Sequence, residues 1–394
     1  MRLLHTSDWH LGRTLHRADL APAQAGFLDF LVETVRRERV DAVLVAGDVY
    51  DRAVPSVDAV GLYDEALCRL RDAGARVVVT SGNHDSASRL GVGARLVDAA
   101  GVHVRTRPQD CAMPVLLADD HGEVAVYGLP YLEPEAVRDL LPADPAGATD
   151  LPRGHSGVLG RAMACVRADA ARRRARSVVL AHAWVTGGEP SDSERDIRVG
   201  GVGDVGAALF DGIDYTALGH LHGAQVLRAG LRYSGSPLAY SFSEAAHVKG
   251  CWLVELDAAG LGRVEQVPAP VPRRLSALRG ALADLLGDPS LADRESDWLS
   301  VVLTDAVRPE DAMVRLRSRF PHVLVLDWQP AGAVADERSY GTRVAGRDDL
   351  EVVTEFVRHV RGGGSTSTVG AADERDRALL QQALDAVRLA AVAG

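Results

Sequence analysis

Lysine is almost missing from this chain: Lys249 is the only one in 394 residues, and arginine carries the rest of the positive charge. Lys249 is followed by Gly250, so no P-loop Lys-Ser/Thr pair exists to cradle a nucleotide. If ATP drives anything here, another chain binds it. The cysteines, Cys68, Cys111, Cys165 and Cys251, are scattered with no CxxC pair. That argues against a zinc knuckle or a disulfide framework and suits a reducing compartment. No apolar run is long enough to span a bilayer and no signal-peptide pattern opens the chain, so the cytoplasm is the expected location and no membrane partner is expected. Internal repeats are absent. The net charge of -10 excludes a global field that draws the protein to nucleic acid. A phosphate-bearing partner must therefore be held locally, by metal ions or arginine patches.

What remains is ordinary globular usage, 47% hydrophobic and 25% charged, in a chain long enough for two or three domains. The opening 85 residues read as β-loop-α-β-loop-α-β-loop. Strands are expected at 2–7, 42–45 and 77–80, with crossover helices at 25–40 and 56–73. Each strand runs into an ionisable cluster: Asp8-Trp9-His10, Gly47-Asp48-Val49-Tyr50-Asp51 and Gly82-Asn83-His84-Asp85. Right-handed crossovers bring these loops to one sheet edge, where α/β folds place their sites. Further strands are expected at 124–127, 178–180 (leading into His182), 215–218 (leading into Gly219-His220-Leu221-His222), 231–234 and 251–256. The last two are expected to complete a second sheet. A surface loop is expected at 141–157, an arginine-bearing helix at 158–175 and a mobile loop at 187–204.

Pro268, Pro270 and Pro272 mark a boundary. Beyond it a helix is expected near 277–286, strands at 299–304 and 323–328, a helix at 309–319, irregular chain at 332–347 and helices at 349–360 and 371–391. The Gly/Ser-rich run 362–368 reads as a flexible linker. The expected domains are 1–265, 273–335 and 348–394. On the last helix Leu380, Leu384, Val387 and Ala391 share one stripe, a candidate partner-binding face beyond the linker.

Asp8, His10, Asp48, Asn83, His182, His220 and His222 collect at the strand ends. Two divalent cations need about this many ligands if Asp48 is shared. The nitrogen and oxygen donors, without thiolate, suit manganese, iron or zinc. Glycines at 47, 82 and 219 let the backbone turn off each strand. His84 is a candidate to protonate a leaving oxygen, with Asp51 holding its tautomer. Arg13, Arg52 and Arg89 lie near the ligand loops and are candidates for phosphate contact, whereas the run at 172–176 reads as a solvated helix face. Trp9 is expected to pack under the ligand loop, Asp85 to act as a loop or cap residue, and His5 to be packed within its strand.

These blocks, D-x-H, G-D-x-x-D, G-N-H-D, a lone His and G-H-x-H, occur in order across residues 8–222. They resemble the calcineurin-like metallophosphoesterases. Thr6 to Gly12, Gly82 to Ser86, Gly219 to His222 and Tyr233 to Phe242 resemble the SbcD-type nuclease subunits within that superfamily. The resemblance implies an α/β four-layer sandwich, two mixed sheets flanked by helices, with a small α+β capping domain and C-terminal helices. It implies Mn2+-dependent DNA cleavage: ATP-dependent 3′→5′ exonuclease on duplex ends and endonuclease on single strands and hairpins. It implies one ion on Asp8, His10, Asp48 and His222 and the other on Asp48, Asn83, His182 and His220. The implied partners are DNA ends, an SbcC-type coiled-coil ATPase, and a second copy of this chain within a heterotetramer. A small-nucleotide phosphodiesterase and a DNA-end-binding scaffold for the ATPase are the alternatives.

Overall fold

The computed structural model describes residues 1–150, 152–197, 205–331, 344, 346–361 and 372–393. The chain divides into two units, Met1–Pro272 and Arg273–Gly394.

In the first unit the chain runs β1 (Arg2–Thr6), a short hairpin β2 and β3 (Thr14–Leu15, Ala18–Asp19), α1 (Ala21–Glu38), β4 (Ala42–Ala46), α2 (Val57–Asp72) and β5 (Arg76–Thr80). Short helices α3 (Ala87–Leu90) and α4 (Ala94–Val97) lead to β6 (Val102–Arg105), β7 (Val115–Asp119) and β8 (Gly122–Leu129). Then come α5 (Pro134–Val137), α6 (Gly154–Arg173), β9 (Arg176–His182), β10 (Tyr215–Gly219), β11 (Gln225–Arg228), β12 (Leu231–Tyr233), β13 (Gly250–Asp257) and β14 (Gly260–Pro268).

Two six-stranded sheets result, in the orders β14-β13-β1-β4-β5-β6 and β11-β12-β10-β9-β8-β7. Strands β1, β4, β5 and β6 run parallel, as do β12, β10, β9 and β8, and antiparallel strands complete both sheets. Parallel strands are covered on both faces. Every residue of β4, Ala-Val-Leu-Val-Ala, is accordingly buried. Leu3, Leu44 and Val78 of the first sheet meet Val126, Leu180 and Tyr215 of the second. Phe27 and Leu31 of α1 and Tyr63 and Leu70 of α2 cover the outer face of the first sheet. Leu159, Met163 and Val166 of α6 cover the second. This is the mixed α/β, helix-sheet-sheet-helix layering of a four-layer sandwich.

Some expectations change. Strand 251–256 does not join the second sheet: β13 pairs antiparallel with β1, Leu4 opposite Leu253, and extends the first. Helix α6 begins at Gly154, so it takes in the end of the expected 141–157 loop. Strands β6, β11 and β14 carry no clean apolar run and are not expected from the sequence, nor is β7, Val-Leu-Leu-Ala-Asp, despite its apolar run. Of the arginine run, Arg172, Arg173 and Arg174 are exposed as expected, whereas Arg176 is buried in β9. Arg173 Nε donates to Asp169 at 2.6 Å, Arg172 binds the same carboxylate, and buried Arg176 pairs with Asp119.

The second unit holds a parallel sheet in the order β15 (Leu275–Gly280), β16 (Trp298–Leu303) and β17 (Val323–Trp328), with α7 (Leu282–Gly287) and α8 (Ala312–Arg319). The helix expected near 277–286 is half wrong. Leu275, Leu278, Leu282 and Leu285 mimic a helical period. Yet 275–280 is a strand, with Ser276 and Leu278 buried, Ala277 and Arg279 exposed, and parallel pairing to β16. Tertiary pairing outweighs the local period. Helices Asp349–Arg361 and Glu374–Ala393 close the unit, tied by Arg388 Nη2 donating to Asp349 at 2.7 Å. The linker 362–368 and most of 332–347 lie outside the described residues.

Candidate metal centre

Five parallel strands, β1, β4 and β5 in one sheet and β9 and β10 in the other, end on the same small volume. Asp8 and His10 follow β1, Asp48 follows β4, Asn83 follows β5, His182 ends β9, and His220 and His222 follow β10. The loop after β1 runs beside the loop after β4: Asp8 N donates to Gly47 O at 3.0 Å and His10 N to Asp48 O at 3.0 Å. Trp9 lies under this loop, fully buried, its Nε1 on Thr6 Oγ1 at 2.9 Å. Asp85 ties two ligand loops together, accepting from Gly82 N (2.9 Å), Val49 N (3.1 Å) and Tyr50 N (2.9 Å).

The turns are tight. Asp8 (φ 52°), His10 (φ 45°), Asp48 (φ 49°) and His220 (φ 107°) all sit at positive φ. Non-glycine residues rarely adopt this, and such strain costs about 1–3 kcal/mol each and persists where surrounding packing over-determines it. The three glycines serve a purpose beyond turning. Only Gly47 is at positive φ; at Gly82 a Cβ would land 2.1 Å from Asp48 Oδ1, and at Gly219 1.9 Å from Ala46 O. Close approach, not chain reversal, demands glycine at those two positions.

Asp48 is the hub. Its Oδ1 accepts from His84 N at 2.8 Å. Its Oδ2 lies 3.5 Å from His182 Nε2, 3.6 Å from His10 Nε2 and 4.0 Å from His84 Nε2. His10 Nε2 is 3.1 Å from His222 Nε2. Asn83 Oδ1 is 2.9 Å from His182 Nε2 and 3.1 Å from His220 Nδ1. His5, by contrast, is buried on Tyr215 Oη and Leu218 O, away from this cluster.

The electrostatics favour positive charge at the centre. Burial opposes the Asp48 carboxylate, but His182, His10 and His84 hold it well below the usual carboxylate range. Burial likewise opposes a charged His182, yet the Asp48 charge and hydrogen bond raise the ring to about 9. Burial pushes Asp8 up to about 6. Burial and the Asp48 charge push Asp85 up to about 7, against its three N–H donors. His10 and His220, with desolvation dominant, stay well below the ordinary imidazole value and so are neutral donors.

The donors fit divalent cations. Asp8, His10 and His222 converge; so do His10, Asp48 and His84, and Asp8, Asp48 and His182, all buried. His182 Nδ1 donates to Ala46 O at 2.9 Å, which leaves Nε2 for a ligand in the neutral ring. The buried His220 Nε2 and His10 Nδ1 have no hydrogen-bond partner among the described residues.

The Asp51 carboxylate does not hold His84. The partner of His84 Nδ1 is the Asp51 main-chain carbonyl, at 2.8 Å. The carboxylate instead lies 3.8 Å from Arg13 Nε and 3.5 Å from Arg52 Nε. Arg13 is mostly buried, donates to Ser193 O at 2.8 Å and packs on Tyr240, and its Nη1 lacks a partner among the described residues. Arg52 and Arg89 are exposed. Residues that sequence reasoning missed lie behind His222: Ser193, Glu194, Glu244 and the sole lysine, Lys249. The isolation of that one lysine was the available signal.

A family model described as calcineurin-like phosphoesterase matches residues 1–224. The chain belongs to that family. The model described as type 5 capsule protein repressor C-terminal domain, the SbcD C-terminal domain, matches residues 271–361. Together the two matches mark an SbcD-type nuclease subunit, a metal-dependent phosphodiesterase. Among solved structures, TT1561 of Thermus thermophilus is similar at 15% identity and a TM-score of 0.38, over 68% of this chain and 99% of that one. A β-glucosidase from Exiguobacterium marinum is similar at 10% identity and a TM-score of 0.24, over 83% of this chain and 89% of that one. Likenesses this weak carry no functional argument. No helix among the described residues is long and apolar enough to cross a membrane.

Proposed function

We propose that this chain is the Mn2+-dependent nuclease subunit of a cytoplasmic SbcCD-type complex. It would act with an SbcC-type coiled-coil ATPase on DNA ends and hairpins in replication, recombination and repair. The observation that carries this is the convergence of two carboxylates, an amide and four imidazoles from five strand ends in one cluster centred on Asp48 and Asn83. Asp8, His10, Asp48 and His222 would hold one cation, and Asp48, Asn83, His182 and His220 the other. Bound there, the pair would supply hydroxide at neutral pH and neutralise phosphate charge. The Asp48 carboxylate, which also accepts from His84 N, would be shared between the two ions.

His84 presents Nε2 to the cluster because Nδ1 is fixed by the Asp51 carbonyl. From there it can contact the scissile phosphate or protonate the departing oxygen. Arg13, with a spare donor, and exposed Arg52 and Arg89 would track the DNA backbone near the site. Residues 273–335 would cap and position DNA. On the last helix Leu380 and Leu384 are half-buried and Val387 exposed, as are Leu379 and Leu389. That apolar surface supports docking of the ATPase coiled coil. Exposed Val57 and Val60 on α2 and Val92 and Leu96 around α4 support a homodimer within a heterotetramer.

A small-nucleotide phosphodiesterase could use the same ligands, but the SbcD-type C-terminal domain favours a polymeric substrate. A scaffold without cleavage is disfavoured because every ligand is present and buried or half-buried. The deciding assay follows a labelled duplex with Mn2+, with and without ATP and the ATPase. The proposal expects cleavage that ATP and the partner enhance. Hydrolysis of bis-p-nitrophenyl phosphate but no DNA would favour the small-nucleotide enzyme, and DNA retention without any cutting would favour the scaffold.

A further inference from the structure

A relay of hydrogen bonds runs outward from His222. Its Nδ1 meets Ser193 Oγ, and Ser193 Oγ in turn meets Glu244 Oε1. Glu244 is buried, and its other oxygen lies 2.5 Å from Lys249 Nζ. Tyr240 N also donates to that oxygen, at 3.3 Å. Lys249 Nζ further donates to His222 O at 2.8 Å and Ser236 Oγ at 2.9 Å, so this lysine spans ligand and carboxylate.

Donor and acceptor counting fixes the direction of the relay. A carboxylate beside an ammonium only accepts. Ser193 Oγ–H must therefore donate to Glu244. Its oxygen is then the acceptor, and His222 Nδ1–H must donate to it. The ring is left with a lone pair on Nε2, the nitrogen that faces His10 and Asp8. The segment carrying Ser193 is pinned at more than this point. Glu194 Oε1 accepts from His222 N at 2.7 Å, Ser191 Oγ donates to Glu194 Oε2 at 2.6 Å and lies 3.0 Å from Glu244 Oε1, and Arg13 Nη2 donates to Ser193 O at 2.8 Å.

We propose that Glu244 is a positioning residue which, through Ser193, fixes the tautomer and aim of the metal ligand His222. Loop residues 191–194 are thereby part of the metal site although none of them is a ligand. The proposal rests on the metal-site assignment above. It goes beyond it by locating control of one cation in a loop and a buried ion pair. Partners behind a ligating histidine raise its basicity, and their loss weakens metal binding by roughly 10–100-fold.

The test is calorimetric titration of Mn2+ into the metal-free full chain, as wild type, Glu244→Gln and Ser193→Ala. Thermal melts check folding, and long-range 15N–1H spectra read the His222 tautomer. Wild type is expected to bind two ions and show His222 protonated on Nδ1. Glu244→Gln is expected to weaken one ion by about 10–100-fold, leave the other within about 3-fold, and lose the pure Nδ1–H signature. Ser193→Ala is expected to weaken the same ion. If Glu244→Gln fails to fold, Ser193→Ala decides. Folded variants that bind both ions as wild type does, or weaken both equally, overturn the proposal. A wild type that takes up no Mn2+ overturns the metal-site assignment itself.

Discussion

The Nε2 atoms of His10 and His222 lie 3.1 Å apart although the residues are 212 positions apart in sequence. One follows β1 of the first sheet and the other follows β10 of the second. Their meeting requires both sheets to stack with parallel strands ending on one side, so the fold and the metal centre stand or fall together.

Asp48 is placed so that its removal affects both ions. Asp48→Asn should cut Mn2+ stoichiometry from two and lower phosphodiester hydrolysis by about 10³-fold or more, the loss of about 4 kcal/mol of transition-state stabilisation. Metal analysis of the purified variant and an assay with bis-p-nitrophenyl phosphate check this. Full stoichiometry would contradict it.

His84 separates chemistry from metal binding. Its Nε2 lies 4.0 Å from Asp48 Oδ2 and shares a cluster with His10 and Asp48, but it belongs to neither of the two ligand sets proposed above. His84→Gln should retain both ions and lose roughly 10²–10⁴-fold in rate. A variant with normal turnover and both metals bound would remove His84 from the mechanism.

The glycines make a steric prediction. Gly82→Ala puts a methyl 2.1 Å from Asp48 Oδ1 and 2.4 Å from Asp48 N, so the loop that carries Asp48 must shift and Mn2+ uptake should fall. Gly219→Ala drives a methyl to 1.9 Å from a backbone oxygen of the facing sheet. It should lose about 1–3 kcal/mol or more of stability. Melting curves and metal titration of the two variants distinguish these outcomes.

Asp119 makes a pH prediction. Hydrogen bonds from Arg176, aided by the N-terminal ammonium 2.7 Å away, hold its carboxyl well below the usual range. A depressed folded-state value stabilises the protein above the unfolded-state value of about 4, and that stabilisation is lost as pH falls toward the folded-state value. Asp119→Asn should therefore melt lower than wild type at neutral pH. The gap should close as pH drops below about 4; a gap that widened in acid would contradict the sign.

Much of this was legible in the chain itself. Each βα unit of the first 85 residues carried its apolar run and its polar loop, because buried parallel strands need continuous hydrophobic residues and sites form where they end. What could not be read was anything set by distant pairing. Nothing local in Cys251–Leu256 says that it lies against β1, or that Leu275–Gly280 extends beside β16. Asp51 does hold His84, but through its main-chain carbonyl, an atom that the residue type does not single out. The Ser193–Glu244–Lys249 relay had only the isolated lysine to announce it: Ser193 lies between β9 and β10, Glu244 and Lys249 between β12 and β13, and only the fold brings the two segments together.

Crystals of the chain soaked in Mn2+ and measured at the manganese absorption edge test the central claim most directly. Two anomalous peaks about 3.5–4 Å apart are expected, both beside the Asp48 carboxylate, one near His10 and His222 and the other near Asn83, His182 and His220. No peak at saturating Mn2+, or a single ion that does not touch Asp48, would contradict it.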